Sequence, residues 1–318
     1  MNFFQICYYS PSGTSKEDEY MVELRKLDTE QRNQRTMQID TLPTLEMLTL
    51  INEEDHRVAE AVKAVLPEIA KAVDTIYQQL DNGGRLIYVG AGTSGRLGLL
   101  DAVECPPTFG VSTELVKGLI AGGDNAFVKA VEGAEDNYDM GKTDLEEIGF
   151  SAKDALVGIA ASGRTPYVLG AMDYARSLGA PVMALTCCNN SELSRHADIT
   201  MAPVPGPEVV TGSSRLKSGT AQKLVLNMLS TATMIKLGKV YGNLMVDVKA
   251  TNEKLVHRAI SIVCTATGVD NDTARATLEK CDFRCKTAIV MILLGLEAEA
   301  ANAALDAAKG HISAALKG

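Results

Sequence analysis

The sequence predicts an α/β fold in which a parallel sheet is flanked by helices and is followed by a small all-α module. Short apolar segments alternate with helical segments in the middle of the chain, which is typical of a parallel sheet covered on both faces. From about residue 256 to the end, the pattern changes to short helices only. The five strand candidates are residues 85–90, 113–123, 154–163, 181–187 and 198–204.

Helices are also predicted before the sheet. Apolar residues recur every three or four positions from Val58 to Ile76, as on the buried face of a helix. Pro67 predicts a kink or a new helix start, and the Asn-Gly-Gly sequence at 82–84 predicts the helix end. The expected organisation is a disordered extension at 1–27, a sheet domain with N-terminal helices at 28–255, and a helical module at 256–318.

The charge and hydropathy of the chain argue against two classes of partner. The formal net charge is −9, and an acidic surface repels nucleic acid and anionic membranes. We therefore expect neither as a partner, and an anionic substrate would need a local positive pocket. The most apolar stretches, 224–237 and 288–296, are too short to cross a membrane and are interpreted as buried helices.

The cysteines and histidines predict neither a disulfide framework nor a metal site. There are seven cysteines, an odd number, and the N-terminus lacks the basic start and long apolar run of a signal peptide. These features predict a reducing, cytoplasmic location. Cys281 and Cys285 lie one helical turn apart, but a zinc site needs two more ligands and the four histidines are scattered.

Two loops after predicted strands have a composition that suits phosphate. Residues 90–96 (GAGTSGR) follow the first strand, and residues 161–166 (ASGRTP) follow the third. Each combines small residues, hydroxyls and an arginine at a helix start, where free N–H groups and the helix dipole favour an anion. Pro166 suits the first helical position and Thr165 the N-cap. Because ligands bind beyond the carboxyl ends of parallel strands, the two loops together predict a phosphate site.

Two further features of the sequence concern this predicted phosphate site. The GAGTSG sequence also fits the dinucleotide fingerprint G-x-G-x-x-G, but the acidic residue expected about 20 residues later is not convincingly placed. A third segment, residues 211–220 (TGSSRLKSGT), opens a long helix with hydroxyls and two cations. It is interpreted as a wall of the anion pocket, and a solvated helix cap is the alternative.

Acidic residues stand out at two places, but the residues alone do not assign them a role. Glu104 precedes a Cys-Pro-Pro sequence, whose prolines predict that no helix continues there. An isolated glutamate at such a place is usually a solvated helix end. Glu132, Glu135 and Asp136 cluster in the sequence VEGAED, and their spacing does not choose among them.

The loops and several longer blocks resemble known families. The loop from Ser162 to Thr165 is similar to the phosphate loop of sugar isomerase (SIS) domains. From about residue 28 to the C-terminus, the chain resembles the N-acetylmuramic acid 6-phosphate etherases. The blocks that carry this resemblance are TEQRN (29–33), GAGTSGRLG (90–98), ECPPTFG (104–110), VEGAED (131–136), GIAASGRTPYV (158–168), the long block 208–248 and ATN (250–252).

The resemblance implies a five-stranded SIS-type sheet, a homodimer, no cofactor and a reaction. In that reaction N-acetylmuramic acid 6-phosphate and water give N-acetylglucosamine 6-phosphate and D-lactate. Glu104 takes the position of the proton donor to the leaving lactate, and Glu135 then takes the proton from C2. The binding residues expected from the three loops are Gly92, Thr93, Ser94, Arg96, Ser162, Gly163, Arg164, Thr165, Ser213, Ser214, Arg215 and Lys217.

Two carboxyl groups suit this chemistry. In the open-chain sugar, the C1 aldehyde acidifies the hydrogen on C2. Its removal expels lactate from C3, and water then adds to the unsaturated aldehyde. The cycle needs a base at C2 and an acid at the ether oxygen, and each such role is typically worth about 10²–10⁴ in rate.

Two alternatives use the same fold. A phosphosugar isomerase would also need a base near C2 but no acid at C3. A non-catalytic sugar-phosphate sensor is the other: the SIS-containing regulator of glucokinase has two SIS domains, whereas this chain has room for one. A transcription factor would need a basic DNA-binding helix, but the predicted N-terminal helices are acidic.

Overall fold

The computed structural model of the protein describes residues 28–129, 131–248 and 252–317. The predicted N-terminal extension, residues 1–27, lies outside the described residues. Short 3₁₀ helices at Asp28–Glu30, Gln34–Thr36 and Ile39–Thr41 begin the described chain, and another lies at Ala134–Asp136.

The main sheet is parallel and has five strands in the order β2-β1-β3-β4-β5. Gly90, the last residue of the central strand β1, pairs in register with Ile120 of β2 and Ile159 of β3, so the carboxyl ends of these strands lie side by side. This confirms the predicted fold class and all five predicted strands. The strands are β1 Leu86–Gly90, β2 Val116–Ile120, β3 Ala155–Ile159, β4 Val182–Leu185 and β5 Ile199–Met201.

Helices cover both faces of the sheet. On one face, α1, α2, α3 and α8 pack against side chains such as Tyr88 and Val157; on the other, α5 and α6 pack against Ile87 and Leu156. The helices of this domain are α1 Thr44–Lys63, α2 Leu66–Asp81, α3 Gly92–Phe109, α4 Asn125–Val128, α5 Tyr138–Glu147, α6 Pro166–Ser177, α7 Glu192–Arg195 and α8 Lys217–Lys236.

The C-terminal helices form a second core. It also contains Val246 and Val248, which precede the predicted boundary at residue 256, so that boundary stays a prediction. Lys309 bridges to Asp81 of the main domain at 3.0 Å. The elements are a hairpin of β6 Val240–Tyr241 and β7 Leu244–Met245, then α9 Glu253–Thr267, α10 Asn271–Glu279, α11 Cys285–Leu294, α12 Ala298–Ala307 and α13 Ile312–Ala315.

Two predictions about helix ends had different outcomes. The break at Pro67 is confirmed, because α2 begins at Leu66 with a proline in its first turn. The expectation that no helix continues past Glu104 is wrong, because α3 includes Pro106 and Pro107 and ends at Phe109. Both prolines lie in the last turn, and Gly110, with φ 66°, ends the helix by donating its N–H to the Pro106 carbonyl.

Within the described residues, no single helix is both long and apolar enough to cross a membrane. One pair, α11 with α12, reaches the required length only together, and it is bent by 104°.

Candidate active site

A cavity of about 310 Å³ lies at the carboxyl ends of β1 and β3, where the sequence predicts a phosphate site. Two carboxylates, Glu30 and Glu135, also line this phosphate cavity. Six hydroxyl side chains give it a wall of neutral hydrogen-bond donors: Thr29, Thr93, Ser94, Ser162, Thr165 and Ser214.

The first loop brings the start of α3 directly to this cavity. A Cβ on Gly95 would lie 2.7 Å from the Gly90 carbonyl oxygen, so strand and helix approach as closely as only glycine permits. Gly92, with φ 52°, makes the turn between them. Thr93 and Ser94 therefore occupy the first turn of an 18-residue helix, whose N–H groups lack intrahelical partners and attract anions.

Ser94 is buried at the inner wall of the phosphate cavity. Its hydroxyl donates to Oε1 of Gln222 at 2.9 Å, while the buried Nε2 of the same amide has no partner among the described residues. Rotation of the amide by about 180° would let Nε2 donate to Ser94 instead. The Ser94 proton would then be available for a phosphate oxygen.

The second loop presents another helix start. Thr165 is the N-cap of α6 and Pro166 its first residue, as predicted, but the Thr165 side chain makes no capping hydrogen bond. Its hydroxyl therefore remains available to a ligand. Gly163 has φ 68°, and a Cβ there would lie 2.3 Å from Cβ of Ser191, so only glycine fits this turn. The tight turn places Ser162 in the cavity wall.

The third loop contributes less than the sequence suggests. Of its predicted binding residues, Ser214 lines the cavity, whereas Ser213, Arg215 and Lys217 are not among the residues that line it. Lys217 is fully buried and its ammonium lies 2.6 Å from Glu54. The N-terminus of α8 is already capped, because Glu208 accepts the N–H groups of Lys217 and Ser218 at 2.9 Å each.

Glu54 anchors the segment that brings Thr29 and Glu30 to the cavity. It accepts a hydrogen bond from Asn33 at 2.9 Å and forms an ion pair with Arg35 at 2.7 Å. Burial raises the pKa of Glu54, but hydrogen bonds from Lys217, Asn33 and Arg35 outweigh it and hold the pKa below its usual value. Glu54 is thus a carboxylate at neutral pH and holds this segment in place.

Thr29 and Glu30 were not predicted as site residues. They begin the TEQRN block, which carried part of the resemblance, so that block was the available signal. Because both residues are far in sequence from the two phosphate loops, no local pattern connected them to the site. A carboxylate beside a phosphate site is also unexpected from charge alone, because like charges repel.

Glu135 lies at the edge of the phosphate cavity. It also lines a second cavity of about 200 Å³, together with Glu132. Gly133, with φ 74°, turns the chain into the 3₁₀ helix that carries Glu135. Asp136 lines neither cavity. Of the three acidic residues in VEGAED, Glu135 alone faces the phosphate cavity.

Glu104 lies elsewhere in the protein. It is twelve positions beyond Gly92 on α3, about 18 Å along the helix axis at about 1.5 Å per residue. Its side chain is exposed, and so are those of Leu100 and Val103 on the same helix. A single copy of the chain therefore does not bring Glu104 and Glu135 together.

The two arginines of the phosphate loops also lie outside the wall of the phosphate cavity. Arg96 lines the second cavity instead, and Arg164 lines neither. Among the described residues there is no group of three His, Cys, Asp or Glu side chains with the arrangement of a metal site.

Three known domain families each match a part of the chain. Residues 68–176 match the N-terminal SIS domain of glucokinase regulatory protein. Residues 148–232 match the SIS domain, and residues 242–289 match the C-terminal lid domain of glucokinase regulatory protein.

Comparison with curated proteins gives much higher similarity over nearly the whole chain. An N-acetylmuramic acid 6-phosphate etherase of Aliivibrio fischeri is 60% identical, over 93% of this chain and 98% of that protein. One from Clostridium beijerinckii is 56% identical, over 93% of this chain and 97% of that protein. Among solved structures, a phosphoheptose isomerase from Neisseria gonorrhoeae is 22% identical with a TM-score of 0.47, over 60% of this chain and 98% of that one.

Proposed function

The chain belongs to the N-acetylmuramic acid 6-phosphate etherase family, and we propose that it cleaves the D-lactyl ether of N-acetylmuramic acid 6-phosphate. The products are N-acetylglucosamine 6-phosphate and D-lactate. The observation that carries the proposal is the phosphate cavity, in which hydroxyls at two helix N-termini face a carboxylate, Glu135. The helix starts and hydroxyls bind the phosphate, which leaves the sugar carbons beside Glu135.

In the proposed mechanism Glu135 acts as the base at C2 of the open-chain sugar. It takes the C2 proton, the electron pair forms the C2–C3 double bond, and the C3–O bond breaks. The leaving lactate oxygen takes a proton from Glu104. The resulting carboxylate of Glu104 then accepts a proton from water as the water oxygen adds to C3, and C2 is reprotonated by Glu135. One water is consumed, so atoms and charge balance.

A homodimer reconciles this mechanism with the distance between the two glutamates. Glu104 lies on an exposed face of α3 beside Leu100 and Val103, and Met228 of the adjacent α8 is also exposed. Apolar side chains on adjoining helices suit burial against a second copy. In an antiparallel pairing of two α3 helices centred on Leu100, the partner's helix would carry its glutamate toward the start of this one.

The substrate is thus a small phosphosugar, and no nucleic acid or membrane partner is proposed. Among the described residues, all six cysteines are free. Free thiols fit a reducing compartment, and we place the protein in the cytoplasm.

The reaction itself is tested with N-acetylmuramic acid 6-phosphate in ¹⁸O-labelled water. We expect release of D-lactate, with the label at C3 of the sugar and none in the lactate hydroxyl, because the original C3–O bond breaks. C2 should exchange its hydrogen with solvent. Exchange at C2 without lactate release would instead indicate a phosphosugar isomerase.

Sharing of the site between subunits is tested by mixing two inactive variants. Glu104→Gln and Glu135→Gln should each abolish lactate release and leave folding intact. If each site takes one glutamate from each subunit, a hybrid dimer contains one intact site. After random exchange of subunits, half of the dimers are hybrids, so the mixture should recover about one quarter of wild-type activity. If both glutamates act within one subunit, the mixture stays inactive.

A further inference from the structure

The second cavity adjoins the phosphate cavity. The two share Ala91, Gly92 and Glu135, so the carboxylate lies where they meet. A phosphosugar bound through its phosphate in the phosphate cavity would therefore extend past Glu135. Substituents on its sugar carbons would then enter the second cavity. This geometry matters because the proposed reaction breaks a bond at C3, the carbon next to the one that Glu135 deprotonates.

The second cavity has an apolar wall and one cation. Ala121 and Ala126 are buried in its wall, and the more exposed Val131 lines another side. Arg96 also lines it. The wall suits a small apolar group such as a methyl, and the guanidinium suits a carboxylate.

The Arg96 guanidinium is held in a fixed orientation. Its Nε donates to the Phe127 carbonyl at 2.9 Å, and its Nη2 donates to the Ala126 carbonyl at 2.8 Å. Within the described part of the chain, no hydrogen bond uses Nη1. An arginine already held by its other nitrogens loses little conformational freedom when it binds a further acceptor.

Resting on the proposed function, we propose that the second cavity binds the lactyl group of the substrate. The lactyl carboxylate accepts hydrogen bonds from Arg96, and the lactyl methyl lies against Ala121 and Ala126. Glu132 also lines the cavity, but its side chain is exposed, so water weakens its repulsion of the carboxylate. The site recognises a 2-hydroxy carboxylate attached through its oxygen, which a simple phosphosugar lacks.

The inference predicts a selective loss of affinity. Wild-type lactate release is measured first, because its absence would refute the proposed function rather than this subsite. Binding is then measured by calorimetry in a Glu135→Gln background, which does not consume the substrate. Adding Arg96→Met should lower the affinity for N-acetylmuramic acid 6-phosphate about 10- to 100-fold, which is the usual effect of losing a hydrogen bond to a charged group. The affinity for N-acetylglucosamine 6-phosphate, which lacks the lactyl group, should change less than about 2-fold.

A second variant tests the cavity without removing the cation. Ala126→Leu keeps the backbone carbonyl that holds Arg96 but fills the space for the methyl. It should likewise weaken binding of N-acetylmuramic acid 6-phosphate and leave binding of N-acetylglucosamine 6-phosphate unchanged. Ser162→Ala is the matched control, because its hydroxyl is proposed to hold the phosphate and should weaken both ligands alike. Equal losses for the two ligands in Arg96→Met and Ala126→Leu, or no loss in either, would overturn the assignment.

Discussion

Glu54→Gln should both unfold the main domain more easily and weaken substrate binding. Glu54 is fully buried and accepts from Lys217 at 2.6 Å, from Arg35 at 2.7 Å and from Asn33 at 2.9 Å. A glutamine has a similar shape but no charge. Its amide oxygen can still accept from Lys217, but the buried ammonium then has only neutral partners, that oxygen and the Pro205 carbonyl at 3.1 Å.

The size of the effect follows from this burial. Breaking a buried ion pair by removing one partner costs about 3–5 kcal/mol. Lys217 has a side-chain exposure of 1%, so water offers it little compensation, whereas Arg35 is 40% exposed and can be solvated. In a domain of about 150–250 residues, each kcal/mol lowers Tm by about 2–4 °C, which gives a fall of about 6–20 °C. Because a glutamine has one acceptor oxygen where Glu54 has two, either Asn33 or Arg35 also loses its acceptor, so the segment with Thr29 and Glu30 should loosen and KM should rise.

The measurement is thermal unfolding followed by circular dichroism. Glu60→Gln is the matched control, since Glu60 lies on the same helix and, among the described residues, its carboxylate forms only an exposed pair with Lys63 at 3.6 Å. This change should cost less than about 1 kcal/mol. Adding Lys217→Met to Glu54→Gln should restore much of the stability by removing the unpaired charge. A Glu54→Gln protein that melts with the control would refute the reasoning.

The same variant changes the pH dependence of stability. The partners of Glu54 hold its pKa below its usual value. Its contribution is therefore present above the unfolded pKa of about 4.3 and is lost as the pH falls through the lower folded pKa. Wild-type Tm should fall across this acidic range, and the Tm of Glu54→Gln should fall less. Parallel curves for the two proteins would show that Glu54 is not charged in the fold.

Three further predictions concern the site. Thr165→Val should weaken both phosphosugars about 3- to 10-fold with little change in Tm, because its hydroxyl makes no capping bond; calorimetry and thermal melts check this. Gly163→Ala should lower both Tm and affinity, because its Cβ would lie 2.6 Å from the Ser191 hydroxyl; normal values would refute the close fit. Chelation with EDTA should leave lactate release unchanged, since no metal-ligand group is predicted from the sequence; inactivation that zinc reverses would contradict this.

The sheet could be predicted from the sequence because its signals are local. Each strand is a short apolar run, and the run RLIYVG alone places β1 and the loop after it. The glycines at 90, 92 and 95 likewise announce a tight turn into a helix. Local patterns determine these features because strand burial and turn geometry depend on residues a few positions apart.

The pairing of charges could not be predicted in the same way. Lys217 and Glu54 are separated by 163 positions, and no local pattern shows that they meet. The sequence therefore assigned Lys217 to the phosphate, although its ammonium is committed elsewhere. Glu30 was missed for the same reason, and the exposed position of Glu104 shows how a motif can indicate a residue without placing it in a cavity.

Phosphate binding at this site should show an unusual response to salt. The cations that the sequence places nearby do not line the phosphate cavity: Lys217 pairs with Glu54, Arg96 lines the neighbouring cavity, and Arg215 is exposed outside it. The phosphate then meets neutral N–H and hydroxyl donors, which salt does not screen as it screens a charged pair. Meanwhile the net charge of −9 repels a phosphate dianion, and salt weakens that repulsion.

The affinity for N-acetylglucosamine 6-phosphate, measured by calorimetry, should therefore stay level or rise slightly as the salt concentration increases about 10-fold. A steep fall would show that an arginine, such as Arg164 or Arg215, neutralises the phosphate after all.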